Sequence, residues 1–186
     1  MILFLRFVGV MNSAVWLGAA VFFTCAAPAI FTDESKRLLG EAQTGIAAMM
    51  LLARFFALQY WCGAIAIIHQ LAEWVYLGRS LQRWAVGVLA AVYVVVLLGG
   101  LWLQPKLRHL HEVKYGYRKS ASAATGYDKR PVAPQEQTEA AKEFARWHGI
   151  SMIFNLFVMG GTAFFLWQVV NPVDVPRFIP ANKFRS

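Results

Sequence analysis

Four long apolar runs constrain this chain more than any other feature. The first covers about residues 7–31 and is interrupted only by Asn12, Ser13, Thr24 and Cys25. Some 24 residues at 1.5 Å each make a helix of about 36 Å, enough to cross a hydrocarbon core of about 30 Å with tilt. That run is nearly twice as long as the apolar region of a signal peptide, so it reads as a span and not as a cleaved leader. The second run, about 45–77, is longer than a membrane is thick and is divided by Arg54. Its span is expected over 55–76, with 46–53 as a helical turn or two standing outside the membrane or at its interface. The third and fourth spans fall at 84–103 and 147–170, each bracketed by tryptophans, Trp84 with Trp102 and Trp147 with Trp167. Indole prefers the headgroup zone, and the two spacings correspond to about 27 and 30 Å of helix.

Composition agrees. Hydrophobic residues make up 58% of the 186 and charged ones only 15%, against about 45–50% and 25% in soluble domains. The expected fold is all-α: a four-helix transmembrane bundle forming one domain over 1–186, with a long polar loop between helices 3 and 4. No length is left for a separate catalytic domain. The loop is expected to be mobile over about 118–138, which is rich in Ser, Ala, Lys and Gln. Leu107, Leu110 and Val113 recur at spacing three, so the third helix is expected to restart after Pro105 and lie near the membrane surface. Pro172, Pro176 and Pro180 predict an extended tail over 171–186. Cys25 and Cys62 are too few for a disulfide or Cys-x-x-Cys framework.

Four spans put both termini on one side, read here as the cytoplasmic face of a plasma membrane, or of the inner membrane in a bacterium. The net charge of +8 fits basic loops lying against anionic lipid headgroups and calls for no nucleic acid.

Polar groups near a span need an explanation, because each is costly in lipid. His69 and Glu73 share a face of the second helix. His148, Ser151 and Asn155 form one stripe entering the fourth span, and Asn12 with Ser13 enters the first. His109 and His111 follow the third span and are expected to face the headgroups. Small residues allow helices to approach, so Gly18, Gly87, Gly99, Gly100, Gly160 and Gly161 are expected at helix contacts. The spans hold no nucleophile with a base, no phosphate loop and no carboxylate pair, so hydrolysis and phosphoryl transfer have no footing.

Several segments resemble one family: Trp16-Leu17-Gly18, Ala27-Pro28-Ala29-Ile30-Phe31, Gln104-Pro105-Lys106-Leu107 and Trp147-His148-Gly149-Ile150-Ser151-Met152-Ile153-Phe154-Asn155-Leu156. They are similar to the transmembrane protein 205-like membrane family of unknown function, whose last span opens with a His-Gly-x-Ser-x-x-x-Asn-Leu pattern. His148, Ser151, Asn155, Gly18, Pro28 and Pro105 match that pattern. The resemblance implies a four-span membrane protein and no particular reaction. The architecture is also similar, more distantly, to four-helix haem-binding membrane enzymes and copper-resistance membrane proteins, although the first span here has no histidine or lysine.

Three readings of function follow. The first is a non-catalytic membrane component that packs with partner membrane proteins or with itself. The second is a redox protein binding haem b or a metal, with His148 as one ligand and His109, His111 or His69 as the other. The third is a small transporter or channel lined by His148, Ser151, Asn155 and Asn12. On this placement His148→Ala is expected to disturb the protein more than His111→Ala.

Overall fold

The computed structural model of the chain describes residues 2–77, 83–115, 117–119, 127–129 and 132–171. In chain order these form α1 (Ile2–Ile30), α2 (Asp33–Leu39), α3 (Glu41–Leu77), α4 (Arg83–Leu98), a π-helical segment (Gly99–Leu103), α5 (Gln104–Lys114), the short antiparallel pair β1 (Tyr117–Lys119) and β2 (Tyr127–Lys129), and α6 (Pro134–Val170). The protein is an all-α bundle in which α1, α3, the α4–α5 unit and α6 are each long and apolar enough to cross a membrane. It is a polytopic integral membrane protein.

Its surface has the polarity that lipid demands. Phe4, Phe22, Trp61, Leu101, Ile153 and Trp167 point outward, because the surrounding solvent is itself hydrocarbon. The centre is small and tightly filled: Trp16 from α1, Cys62 and Ala66 from α3, Leu89, Val92 and Val96 from α4, and Val158, Phe165 and Val169 from α6. Hydroxyls inside the bundle return to their own helix, Ser13 Oγ to the Gly9 carbonyl at 2.7 Å and Thr162 Oγ1 to the Val158 carbonyl at 2.8 Å. Backbone N–H groups have no water to turn to in lipid, which is why unbroken helices form along these runs.

Chain direction changes where local chemistry forces it. Pro28 lies in the last turns of α1, which ends at Ile30. Thr32 caps α2, its side chain accepting from Ser35 N–H at 3.3 Å, and Asp33 and Glu34 sit in the first turn against the helix dipole. Gly40 closes α2 at φ +81°, a left-handed angle that a side chain would resist.

Three expectations about the helices need correction. The third helix does not restart after Pro105 but continues to Lys114. Pro105 has no N–H for the ordinary ladder, and the preceding turn widens, with Gln104 N–H bonding to the Gly99 carbonyl. The chain thereby continues through α5, which runs antiparallel to α6: Trp102 meets Trp147 at 5.1 Å between ring centroids, and His111 meets Phe144 at 6.1 Å. Next, α6 begins at Pro134, well ahead of Trp147, so residues 134–138 are helical and not part of a mobile loop. Proline is suited to a first helical turn, and the Ala, Glu, Gln, Lys and Arg that follow are strong helix formers. Finally, the glycines divide. Gly99 abuts Phe56, Gly100 abuts Phe56 and Tyr60, and Gly161 abuts Val92, whereas Gly18, Gly87 and Gly160 face open space where an added Cβ would touch nothing. These last three do not pack helices within the monomer, because they fall on the lipid-facing side. The expected extended tail over 171–186 lies outside the described residues from 172 onward.

Candidate functional site

The bundle is not filled throughout. Toward the end where α1 finishes and α3 begins, the helices part and leave two adjoining chambers, each partly open at the surface. The deeper, of about 380 Å³, lies among α1, α3, α4 and α6; its wall includes Phe23, Phe55, Phe56, Val95 and Phe154, and its polar contributors are Thr24, Gln59, His148, Ser151 and Asn155. The outer, of about 410 Å³, reaches α2 and α5 and adds Lys36, Glu41, His111, Lys114 and Tyr115. Phe23, Ala27, Phe31, Leu52, His148 and Ser151 belong to both. The result is one elongated hollow, with charge at its outer end and apolar walls within.

Each wall is held by specific contacts. Phe23 of α1 stacks on Phe55 of α3, their centroids 4.3 Å apart and their planes 5° from parallel. Asn155 Nδ2 donates to Thr24 Oγ1 at 2.6 Å and so ties α6 to α1. At the outer end His111 is buried, its ring seated where Gly45 of α3 has no side chain, with Tyr115 at 4.7 Å and Phe144 at 6.1 Å. His148 stacks parallel on Phe144 at 5.9 Å and is itself exposed. Lys106 Nζ lies 3.9 Å from the Trp147 ring centroid, a cation–π contact that fixes the turn below the outer chamber.

His148, Ser151 and Asn155 therefore line one hollow, as their shared stripe suggests. Asn12 does not join them. Its Nδ2 donates to the Cys62 carbonyl at 2.9 Å, and it is separated from Thr24 by the buried Trp16 and Ala20 on the same helix. His69 is farther still. Its Nε2 lies 3.1 Å from the Leu5 carbonyl, and Leu5 and Thr24 stand nineteen positions apart on α1, about 28 Å along the axis. His69 thus cannot share a ligand with His148. It sits 4.0 Å from Glu73 and packs against Gly9, which has no Cβ to obstruct the ring. His109 is exposed on α5. His111 and His148 line a common cavity, and His111, expected at the headgroups, is turned inward. Among the described residues no group of three His, Cys, Asp or Glu side chains is placed to hold a metal ion.

Gln59 and Lys114 are among the contributors that the sequence candidates did not include. Gln59 is 2% exposed, and the signal for it was a lone amide inside an otherwise apolar stretch of α3. Lys114 follows Leu107, Leu110 and His111 on one face of α5, a spacing of three and four that marks a packed side.

The family model described as Domain of unknown function (DUF4149) matches residues 12–115, more than half of the chain. The chain belongs to this family. The DUF4149 match takes in α3, α4 and α5 and all of α1 that lines the hollow, and it stops before α6. It establishes an uncharacterised family, and it supports neither the transmembrane protein 205-like name nor the motif at His148, which lies outside the matched residues. No curated protein and no solved structure matches the chain.

Proposed function

We propose that the protein is a membrane-embedded binding component that holds a lipid-soluble small molecule between α1, α3, α4 and α6. The observation that carries this is the pair of adjoining chambers, about 380 and 410 Å³, with mostly apolar walls and a few converging polar groups. Ligand sites in proteins have this character and this size. A bundle whose only task is to span the membrane gains from closing such a space, since helices in lipid associate through close packing. The reading is of binding, and no reaction is assigned to the chambers.

Leu52 lines both chambers, so Leu52→Trp fills the passage between them. The protein purified in mild detergent is expected to carry a bound lipid-soluble molecule, detected by extraction and mass spectrometry. Leu52→Trp is expected to carry less than a tenth as much at unchanged helical circular dichroism. A visible absorption spectrum of the same sample shows whether that molecule is a haem held near His111 and His148. Wild-type protein with no molecule beyond detergent, or full loading of Leu52→Trp, overturns the reading.

A second reading, packing with a partner membrane protein or a second copy, is favoured by the outward placement of Gly18, Gly87 and Gly160. It predicts an oligomer by light scattering in detergent that Gly18→Leu or Gly87→Leu dissociates. A monomeric wild type counts against self-association.

A further inference from the structure

The deep chamber holds two hydrogen-bond acceptors that the protein leaves unused. Asn155 is oriented by a short relay. The Thr24 hydroxyl donates to the Ala20 carbonyl at 2.7 Å and lies 3.4 Å from Met159 Sδ, so toward Asn155 its oxygen acts as acceptor for Nδ2 at 2.6 Å. Asn155 Oδ1 then points away from Thr24, buried and without a hydrogen-bond partner. Across the chamber, Gln59 on α3 is 2% exposed, and its Oε1 is likewise buried without a partner. Both residues line the same deep chamber, whose remaining wall is largely aromatic and aliphatic. Buried acceptors are ordinarily satisfied, and two that are not, on side chains that line one cavity, call for a hydrogen-bond donor beside them.

Building on the binding function proposed above, we infer that the ligand is an uncharged hydroxylated lipid, a long-chain or isoprenoid alcohol whose hydroxyl reaches Gln59 and Asn155 while its chain lies along Phe23, Leu52 and Phe55. A hydroxyl offers one donor and two acceptor lone pairs, so it can donate to Asn155 Oδ1 or to Gln59 and also accept from the Gln59 amide. A fatty acid carboxylate brings only acceptors and places a charge among apolar walls. An ether or ester brings no donor. A plain alkyl chain leaves both acceptors, Asn155 Oδ1 and Gln59 Oε1, without a donor.

The test uses the full chain in mild detergent and a diazirine-bearing C16 alcohol as photoaffinity probe. Unlabelled hexadecanol, hexadecyl methyl ether and hexadecanoate compete, each dosed as a mole fraction of detergent. Hexadecanol is expected to block labelling at least tenfold more effectively than the methyl ether or the acid. Gln59→Leu/Asn155→Leu replaces both amides with apolar groups of similar size. It is expected to remove that preference while labelling persists, and each single variant is expected to reduce it in part. Equal competition by alcohol and ether in the wild type, or a preference that survives in the double variant, overturns the hydroxyl assignment and leaves the cavity's binding role standing. Labelling that no compound competes and that Leu52→Trp does not diminish overturns the binding role itself. Melting curves of the variants separate loss of preference from loss of fold.

Discussion

His111→Ala is expected to lower the melting temperature of the detergent-solubilised protein by several degrees, while His148→Ala changes it little. The His111 ring is 5% exposed and fills the space left by Gly45, with Tyr115 and Phe144 against its other sides. Truncation leaves a hole between α3 and α5 that rigid helices close only in part. By analogy with large-to-small core substitutions the cost is about 2–3 kcal/mol, which for a chain of this size corresponds to about 4–12 °C. His148 is exposed and has one aromatic neighbour, Phe144, on its own helix. Its removal alters a cavity wall and leaves the packing between helices intact, so its effect belongs in ligand retention. Gly45 supplies an internal check. Gly45→Ala places a methyl group into the imidazole when His111 is present and into vacant space when it is not. The substitution is therefore expected to destabilise the wild type and to be tolerated in His111→Ala, giving a strong coupling between the two positions. Equal melting temperatures for His111→Ala and His148→Ala, or additive effects of Gly45→Ala and His111→Ala, would refute this account of how the outer chamber is held.

That expectation reverses the one drawn from sequence, and the reversal has an identifiable cause. The existence of the four apolar helices was legible because lipid leaves the backbone no alternative to helix, so length and hydropathy were sufficient. Which side of each helix faces inward was much less legible. In a soluble protein the apolar stripe marks the core, but here Phe22, Trp61 and Leu156 point to lipid, and both faces of a helix are apolar. Glycine alone could not resolve the ambiguity, since Gly18 and Gly87 face open space while Gly100 packs against Phe56 and Tyr60. Where helices leave the apolar region, periodicity becomes informative again. Leu107, Leu110, His111 and Lys114 follow a spacing of three and four on α5, and Ala140, Phe144 and His148 do so on α6. These stripes were obscured by the charges around them, which made α5 look like a surface helix and the start of α6 like a loop. The polar stripe of His148, Ser151 and Asn155 was readable because all three lie on one helix. The acceptors that give the deep chamber its chemistry were not, because Gln59 and Asn155 are brought together only by the packing of α3 and α6 around it.

Gly160 and Gly161 allow the same point to be tested between adjacent residues. Gly161→Ala puts a methyl group where the Val92 side chain now lies, and Val92 is 1% exposed with its Cβ 3.5 Å from that position. Valine is stiff at χ1 and is hemmed in by the packed centre, so it cannot swing aside as a long side chain would. The neighbouring backbone must therefore separate, at a cost of about 1–3 kcal/mol typical of an overfilled core, or a fall of about 2–12 °C in melting temperature. Gly160→Ala meets nothing within contact distance and restricts a flexible backbone, and the gain in helix propensity is at most about 1 kcal/mol. The two substitutions are chemically identical and one residue apart, so detergent, expression and local composition are matched. Measured by thermal unfolding under one set of conditions, they are expected to move stability in opposite directions. Should Gly160→Ala prove the more damaging, α6 would have to be rotated by about 100° from the orientation described here, and the stripe of His148, Ser151 and Asn155 would turn out of the hollow with it.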